Sequence, residues 1–164
     1  MSGIRRCSRF LKPVHDASIA TIMSEQKGSG RRLPQQAAVI AVRNIGEDLE
    51  VCLIRRRDAR GWGIPKGFIE QGDTPEETAL NEAWEEAGIH GHLVGEAIGT
   101  YEYAKSGTKL AVAVYVMRVV EELTTWPEMR LRERRWVPMG EAASALARHP
   151  VWPLLDHVSA RLEL

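Results

Sequence analysis

Residues 66 to 89 hold most of the side chains in this chain that could do chemistry. Lys66 and Gly67 open the segment, Gly72 and Asp73 follow, and Glu82, Glu85 and Glu86 come close together behind them. On a helix at ~100° per residue, Glu82 and Glu86 lie one turn apart on one face, with Glu85 beside them. Like charges this close repel by roughly a few tenths of a kcal/mol per pair on an exposed helix. A bound cation turns that repulsion into attraction. Hard ions such as Mg²⁺ or Mn²⁺ take carboxylate oxygens and leave other positions to water and phosphate oxygens. The glycines let backbone approach a ligand, and Lys66 supplies charge for a phosphate. A solvated helix surface accounts for the glutamates alone, but not for glutamates, glycine loop and lysine together. The combination suits a divalent metal beside a polyphosphate.

The elements that must hold these groups are marked in the sequence. Thr74 is the expected N-cap of a helix, Pro75 its first residue, and Glu77 completes a Thr-x-x-Glu capping box. Gly88 is the expected stop. Ala79, Leu80, Ala83, Trp84 and Ala87 share one sector of that helix. This sector is predicted to pack, leaving the carboxylate side unpacked. Upstream, residues 37–42 read as a strand, Gly46-Glu47-Asp48 as a turn, and 49–54 as the second strand of a hairpin. Trp62-Gly63-Ile64-Pro65 is extended, because Pro65 biases Ile64 away from helix. Downstream, 93–103 and 109–120 read as two long strands and 134–137 as a further one. Residues 140–148 and 153–162 read as helices separated by Pro150. The fold class is α+β with a mixed sheet.

At 164 residues, the chain is long enough for one domain with a sizeable core. Lys plus Arg equals Asp plus Glu, 22 against 22, so the formal net charge is zero. Neither a nucleic-acid partner nor a membrane surface is expected, and no apolar run approaches the ~20 residues of a membrane span. Basic residues concentrate at Arg55, Arg56 and Arg57 and at Arg132, Arg134 and Arg135. Cys7 and Cys52 give neither a disulfide framework nor metal-ligand spacing, so a reducing, cytoplasmic setting is expected. Residues 1–33 are basic and read as a disordered extension, with a transit peptide or an over-long start before Met23 as alternatives. The folded domain is expected over 34–164, as a monomer by default, with a small molecule as partner.

The box resembles the signature of the Nudix hydrolase family: Gly, five residues, Glu, seven residues, then Arg-Glu-apolar-x-Glu-Glu-x-Gly-apolar. This chain matches at Gly67, Glu82, Ala83, Glu85, Glu86, Gly88 and Ile89. The similarity runs over about residues 35–150, including Trp62, Val114-Tyr115-Val116 and Arg134-Arg135-Trp136. The flanks are most similar to the branch of diadenosine polyphosphate hydrolases and diphosphoinositol polyphosphate phosphohydrolases. The resemblance implies an α/β/α sandwich and a metal-dependent enzyme. Such an enzyme cleaves a phosphoanhydride bond by water attack on phosphorus, with Mg²⁺, or Mn²⁺, as cofactor. It assigns metal binding to Glu82 and Glu86 and general-base work to Glu85, the set being safer than the division of roles.

Arg55, Arg56 and Arg57 stand where the diphosphoinositol enzymes place phosphate-binding residues. Lys66 and Gly67 form the loop before the box, and Arg132 and Arg134 are further candidates, since Arg meets phosphate bidentately. Lys109 is a weaker candidate. Tyr101 and Tyr103 either stack on adenine or fill a sheet face, and His149 is expected to cap or pack near a helix end. The sequence departs from the signature at Asp73, which replaces Glu, and at Asn81, which replaces Arg. Pro34-Gln35-Gln36 replaces basic residues of the diphosphoinositol enzymes, which favours a nucleotide substrate. Diadenosine polyphosphates or related nucleoside diphosphate-linked compounds are therefore the expected substrates, with a diphosphoinositol polyphosphate phosphohydrolase or a catalytically weakened nucleotide-binding module as alternatives.

Overall fold

The structure is a computed structural model and describes residues 33–163. The expectations for the N-terminal segment before residue 33 lie outside the described residues. The elements are β1 (Gln36–Ile45), β2 (Asp48–Arg56), β3 (Lys66–Phe68), α1 (Pro75–Ala87), β4 (Ile89–Leu93), β5 (Gly99–Lys105), β6 (Thr108–Glu122), β7 (Arg132–Pro138) and α2 (Met139–Ala145). A 3₁₀ turn (Trp152–Leu154) and α3 (Asp156–Leu162) follow.

The sheet is mixed, in the order β4-β6-β1-β2-β7. Its centre is β1, parallel to β6 from Gln36↔Val112 to Val42↔Arg118. The β1–β2 hairpin turns at Gly46, whose φ of 60° is open to glycine at little cost. β2 follows β1 only from Val42↔Val51 to Ile45↔Asp48, then stays with β7 as far as Arg56↔Arg132. The segment from Gly63 to Phe68 fills the gap that opens. Gly63 and Ile54 exchange backbone hydrogen bonds of 2.9 and 3.0 Å, Pro65 O accepts from Val39 N–H, and β3 pairs with the start of β1. This splaying of β2 from β1 creates the floor on which the chemistry-bearing loop lies.

Both faces of the sheet are covered. Ala37, Val39, Ala41, Ala113 and Met117 meet the alanine stripe Ala79-Ala83-Ala87 of α1. Ala38, Ile40, Val42, Val114 and Val116 pack with Leu146, Val151, Leu155 and Val158 on the other side. The result is the α/β/α sandwich. Alternate residues of β1 serve opposite cores, so the strand reads as an unbroken apolar run.

Four expectations are corrected. The strand expected over 93–103 is two strands, β4 and β5. Gly95, with φ of 68°, breaks the run, and the long β6 carries both short strands end to end on one edge. The helix expected over 140–148 ends at Ala145, and the last helix begins as a 3₁₀ turn before α3. In α1, Trp84 is 39% exposed and Glu86 only 6%. On the helical wheel Glu86 lies ~20° from Ala79, while Trp84 lies ~140° away. The alanine stripe, which alone permits close approach to the sheet, sets the buried face and takes Glu86 with it.

Candidate active site

The termini of α1 follow the sequence expectation. Thr74 Oγ1 accepts from Glu77 N–H at 3.2 Å, and the Glu77 carboxylate accepts from Thr74 N–H at 2.8 Å. Gly88 closes the helix in the left-handed region and donates to Trp84 O at 2.9 Å. Between these ends, the Glu82–Glu86 side of α1 lies against β3.

Glu86 is held from two sides. The backbone N–H of Lys66 donates to its Oε2 at 3.0 Å, and Arg132, at the start of β7, forms an ion pair with its other oxygen. Arg132 also pairs with Glu128, four residues earlier. Burial pushes the Glu86 carboxyl up to about 7; the Lys66 N–H and Arg132 oppose this, and Glu82 and Glu128 add to it. The ion pair by itself would keep Glu86 ionised, but burial beside further carboxylates outweighs it. Glu82 is likewise raised to about 7, first by burial, then by Glu85 and Glu128. Gly67 backs directly onto Glu82, and a Cβ at that position would overlap its carboxylate. Glycine is needed here for space rather than for an unusual φ.

These groups open into a cleft of about 810 Å³. Glu82, Glu85, Glu86, Asp73 and Asn81 line one side. Lys66, Gly67, Arg55, Arg56 and Arg132 line it too. The shorter carboxylate of Asp73 therefore still borders the cleft. Asn81 makes no hydrogen bond to a box glutamate among the described residues, and the cation that reaches the box is Arg132. Lys66 Nζ donates to Tyr103 Oη at 3.1 Å and to Gln36 Oε1 at 3.4 Å, and lies 4.8 Å over the Tyr103 ring. Tyr103 O–H donates to the same Gln36 oxygen at 2.8 Å. Arg55 stacks 4.6 Å over Trp62 and pairs with Glu133 at 2.5 Å, while Arg56 pairs with Asp58 at 2.7 Å.

Several candidates lie elsewhere. Arg57 is tied to Glu133 at 3.5 Å and to Met129 O at 3.3 Å and does not line the cleft. Arg134 is also outside it. It donates to Ala87 O at 2.7 Å, Gly88 O at 3.2 Å and Leu123 O at 3.1 Å, pairs with Glu122 and lies 4.4 Å over Trp126. Its charge is spent on the carbonyl end of α1, where a cation is favoured. Lys109 pairs with Glu102 at 3.4 Å, away from the cleft. Tyr101 is 8% exposed and packs in the core, so it offers no face to a base; burial pushes its phenol upward. Cys52 is buried and its thiol is pushed up to about 12 by that burial, which makes it inert.

Sequence reasoning missed Glu128, Lys105 and the position of His149, all of which line the cleft. Only Glu128 left a signal, its spacing of four from Arg132. Among the described residues, no three His, Cys, Asp or Glu side chains close into a metal shell, and Arg132 occupies Glu86 instead. The donor set nevertheless fits Mg²⁺ or Mn²⁺. Both need only one or two carboxylates from the protein and fill their other positions with water and phosphate.

The NUDIX domain profile matches residues 34–161. A relative from Arabidopsis thaliana, Nudix hydrolase 18, mitochondrial, is 32% identical over 148 residues, covering 86% of this chain and 84% of its own. Nudix hydrolase 16, mitochondrial, from the same plant is 35% identical over 113 residues, covering 64% of this chain and 62% of its own length. The matched stretch thus spans less than two thirds of that second relative. A crystal structure of a C. elegans Ap4A hydrolase binary complex shares the fold with a TM-score of 0.65, at 19% identity over 80% of this chain and 98% of that one. The NUDIX domain of Shewanella oneidensis NrtR, crystallised with ADP ribose, gives 0.62 at 16% identity, over 87% and 97%. The chain belongs to the Nudix family.

Proposed function

We propose that this protein is a metal-dependent pyrophosphohydrolase. It cleaves a phosphoanhydride bond in diadenosine polyphosphates or related compounds in which a nucleoside diphosphate is linked to a second group. One observation carries the reading: the buried Glu86 and the half-buried Glu82, with Glu85 beside them, share a cleft with Lys66, Arg55, Arg56 and Arg132. Metal-ligating oxygens and phosphate-binding cations thus face one space.

Glu82 and Glu86 would hold the Mg²⁺ or Mn²⁺ ion. When bound, the ion neutralises charge on phosphate oxygens and lowers the pKa of water. The protein does the rest. Glu85 takes the proton of the attacking water. Lys66, Arg55, Arg56 and Arg132 orient the polyphosphate so that water meets phosphorus in line with the leaving oxygen. Gly67 leaves the Glu82 carboxylate its room.

The nucleotide reading over the inositol one is supported by Gln36, which is 2% exposed and accepts from Lys66 and Tyr103. A neutral amide on the cleft floor suits a substrate with a few phosphates better than one carrying a ring of them. The Ap4A hydrolase and ADP-ribose-bound neighbours share only the fold, and their ligands agree with this choice of class. The buried free thiol of Cys52 is in keeping with a reducing compartment such as the cytosol.

The test is a panel of diadenosine tetraphosphate, ADP-ribose, a nucleoside triphosphate and a diphosphoinositol polyphosphate, with Mg²⁺, measuring phosphate-containing products. Diadenosine tetraphosphate should be preferred, and Glu85→Gln and Glu86→Gln should each lower its turnover by about 100-fold or more. Equal turnover by wild type and both variants would overturn the proposal.

A further inference from the structure

The cleft does not end at the box. A second pocket of about 370 Å³ adjoins it, and Gly61, Trp62 and His149 belong to the walls of both. The exposed residues Ser144, Ala145, Ala147 and Arg148 complete its wall. The two spaces differ in chemistry. The first is lined by carboxylates and by Lys66, Arg55, Arg56 and Arg132. The second has an indole, an imidazole, small residues and a single cation, Arg148.

The imidazole is fixed in tautomer and direction. His149 Nδ1 accepts the backbone N–H of Val151 at 3.1 Å, so Nδ1 bears no proton and Nε2 carries the hydrogen. The ring meets Tyr101 edge-on, with centroids 5.7 Å apart and planes at 79°. Nε2 lies beside Gly63, where an added Cβ would come to 3.5 Å, and His149 lines the main cleft as well. Burial and the nearby charge of Lys66 lower its pKa, which keeps the ring neutral.

We infer that this side pocket is the subsite for the nucleobase of the substrate, with the Nε2–H of His149 donating to a ring nitrogen or carbonyl oxygen and the indole of Trp62 forming the flat wall. A planar heteroaromatic ring matches an indole wall with a neutral donor beside it. A further phosphate would meet one arginine there, Arg148, in exchange for the cluster of cations in the main cleft. The inference deepens the proposed function and rests on its nucleotide reading.

The test uses the full chain and direct binding, by calorimetry with Mg²⁺, of ADP and of inorganic pyrophosphate. His149→Asn keeps an acceptor where Nδ1 lies and removes the donor. His149→Gln keeps a donor near Nε2. Ala145→Trp, at an exposed position, fills the pocket without touching the box. His149→Asn should weaken ADP about tenfold, His149→Gln much less, and Ala145→Trp by at least as much as the asparagine, with pyrophosphate unchanged in all three. ADP binding that is indifferent to Ala145→Trp and His149→Asn overturns the subsite, as does a parallel loss of pyrophosphate. If the wild type binds ADP more tightly than pyrophosphate and the variants abolish that preference, yet nothing in the substrate panel is cleaved, the subsite stands and the catalytic reading falls.

Discussion

Glu86 gives the sharpest physical test of the site, because its carboxylate is both buried and part of the acidic cluster. Take the metal-free protein. The Glu86 pKa rises from 4.5 to about 7, mainly through burial, so the folded state holds a proton that the unfolded chain releases. The sign follows: this contribution to stability is fully present below about pH 4.5 and is lost as pH rises through about 7. The side chain is only 7% exposed, so little solvent screening applies, and the rise corresponds to about 3 kcal/mol. For a domain of this size, that is about 10 °C in Tm. Glu86→Gln removes the titration and keeps an oxygen for the Lys66 N–H. Thermal unfolding of both proteins in EDTA, from pH 5 to pH 8, should show wild type losing stability relative to the variant by about that amount. Mg²⁺ competes with the proton, so at pH 8 it should restore wild type and leave the variant nearly unmoved. Parallel pH curves for the two proteins would refute the reasoning, because burial would then not govern Glu86.

Two further substitutions separate architecture from chemistry. Gly67→Ala forces the Glu82 carboxylate aside, since a Cβ there would overlap it. Mg²⁺ affinity should fall about tenfold or more while Tm moves by only a few degrees, as measured by calorimetry and thermal unfolding. Arg134→Met leaves the carbonyls of Ala87, Gly88 and Leu123 without their charged donor. It should cost about 2–4 kcal/mol in denaturant unfolding with KM for the polyphosphate unchanged; a raised KM at unaltered stability would return Arg134 to the cleft.

What could be read from the sequence, and what could not, follows from how local each signal is. The caps of α1 were legible because Thr74, Pro75, Glu77 and Gly88 act within one turn of themselves. β1 was legible because both its faces are buried. The strand expected over 93–103 failed because apolar runs say nothing of how many partners a neighbouring strand can carry; only the length of β6 explains why β4 and β5 share its edge. The wheel of α1 misplaced Trp84 and Glu86, because hydrophobicity ranked the indole above alanine, while close packing on the sheet requires alanine.

The basic residues make the same point about the site. Arg55, Arg57, Arg132 and Arg134 are alike in composition and all lie at or near the β2–β7 pair. The side chains of successive residues on a strand point to opposite faces, yet alternation alone does not decide which of them reach the cleft. Arg134 is spent on the end of α1, and Arg57 on Glu133. Arg132 reaches Glu86 because β7 begins beside the box, in register with Arg56. Asn81, where the signature has an arginine, is one turn from Glu85 and makes no such contact, so the positive charge at the box comes from a strand distant in sequence. A motif read along the chain records that loss at position 81, and only the pairing of β2 with β7 reveals where the charge is supplied.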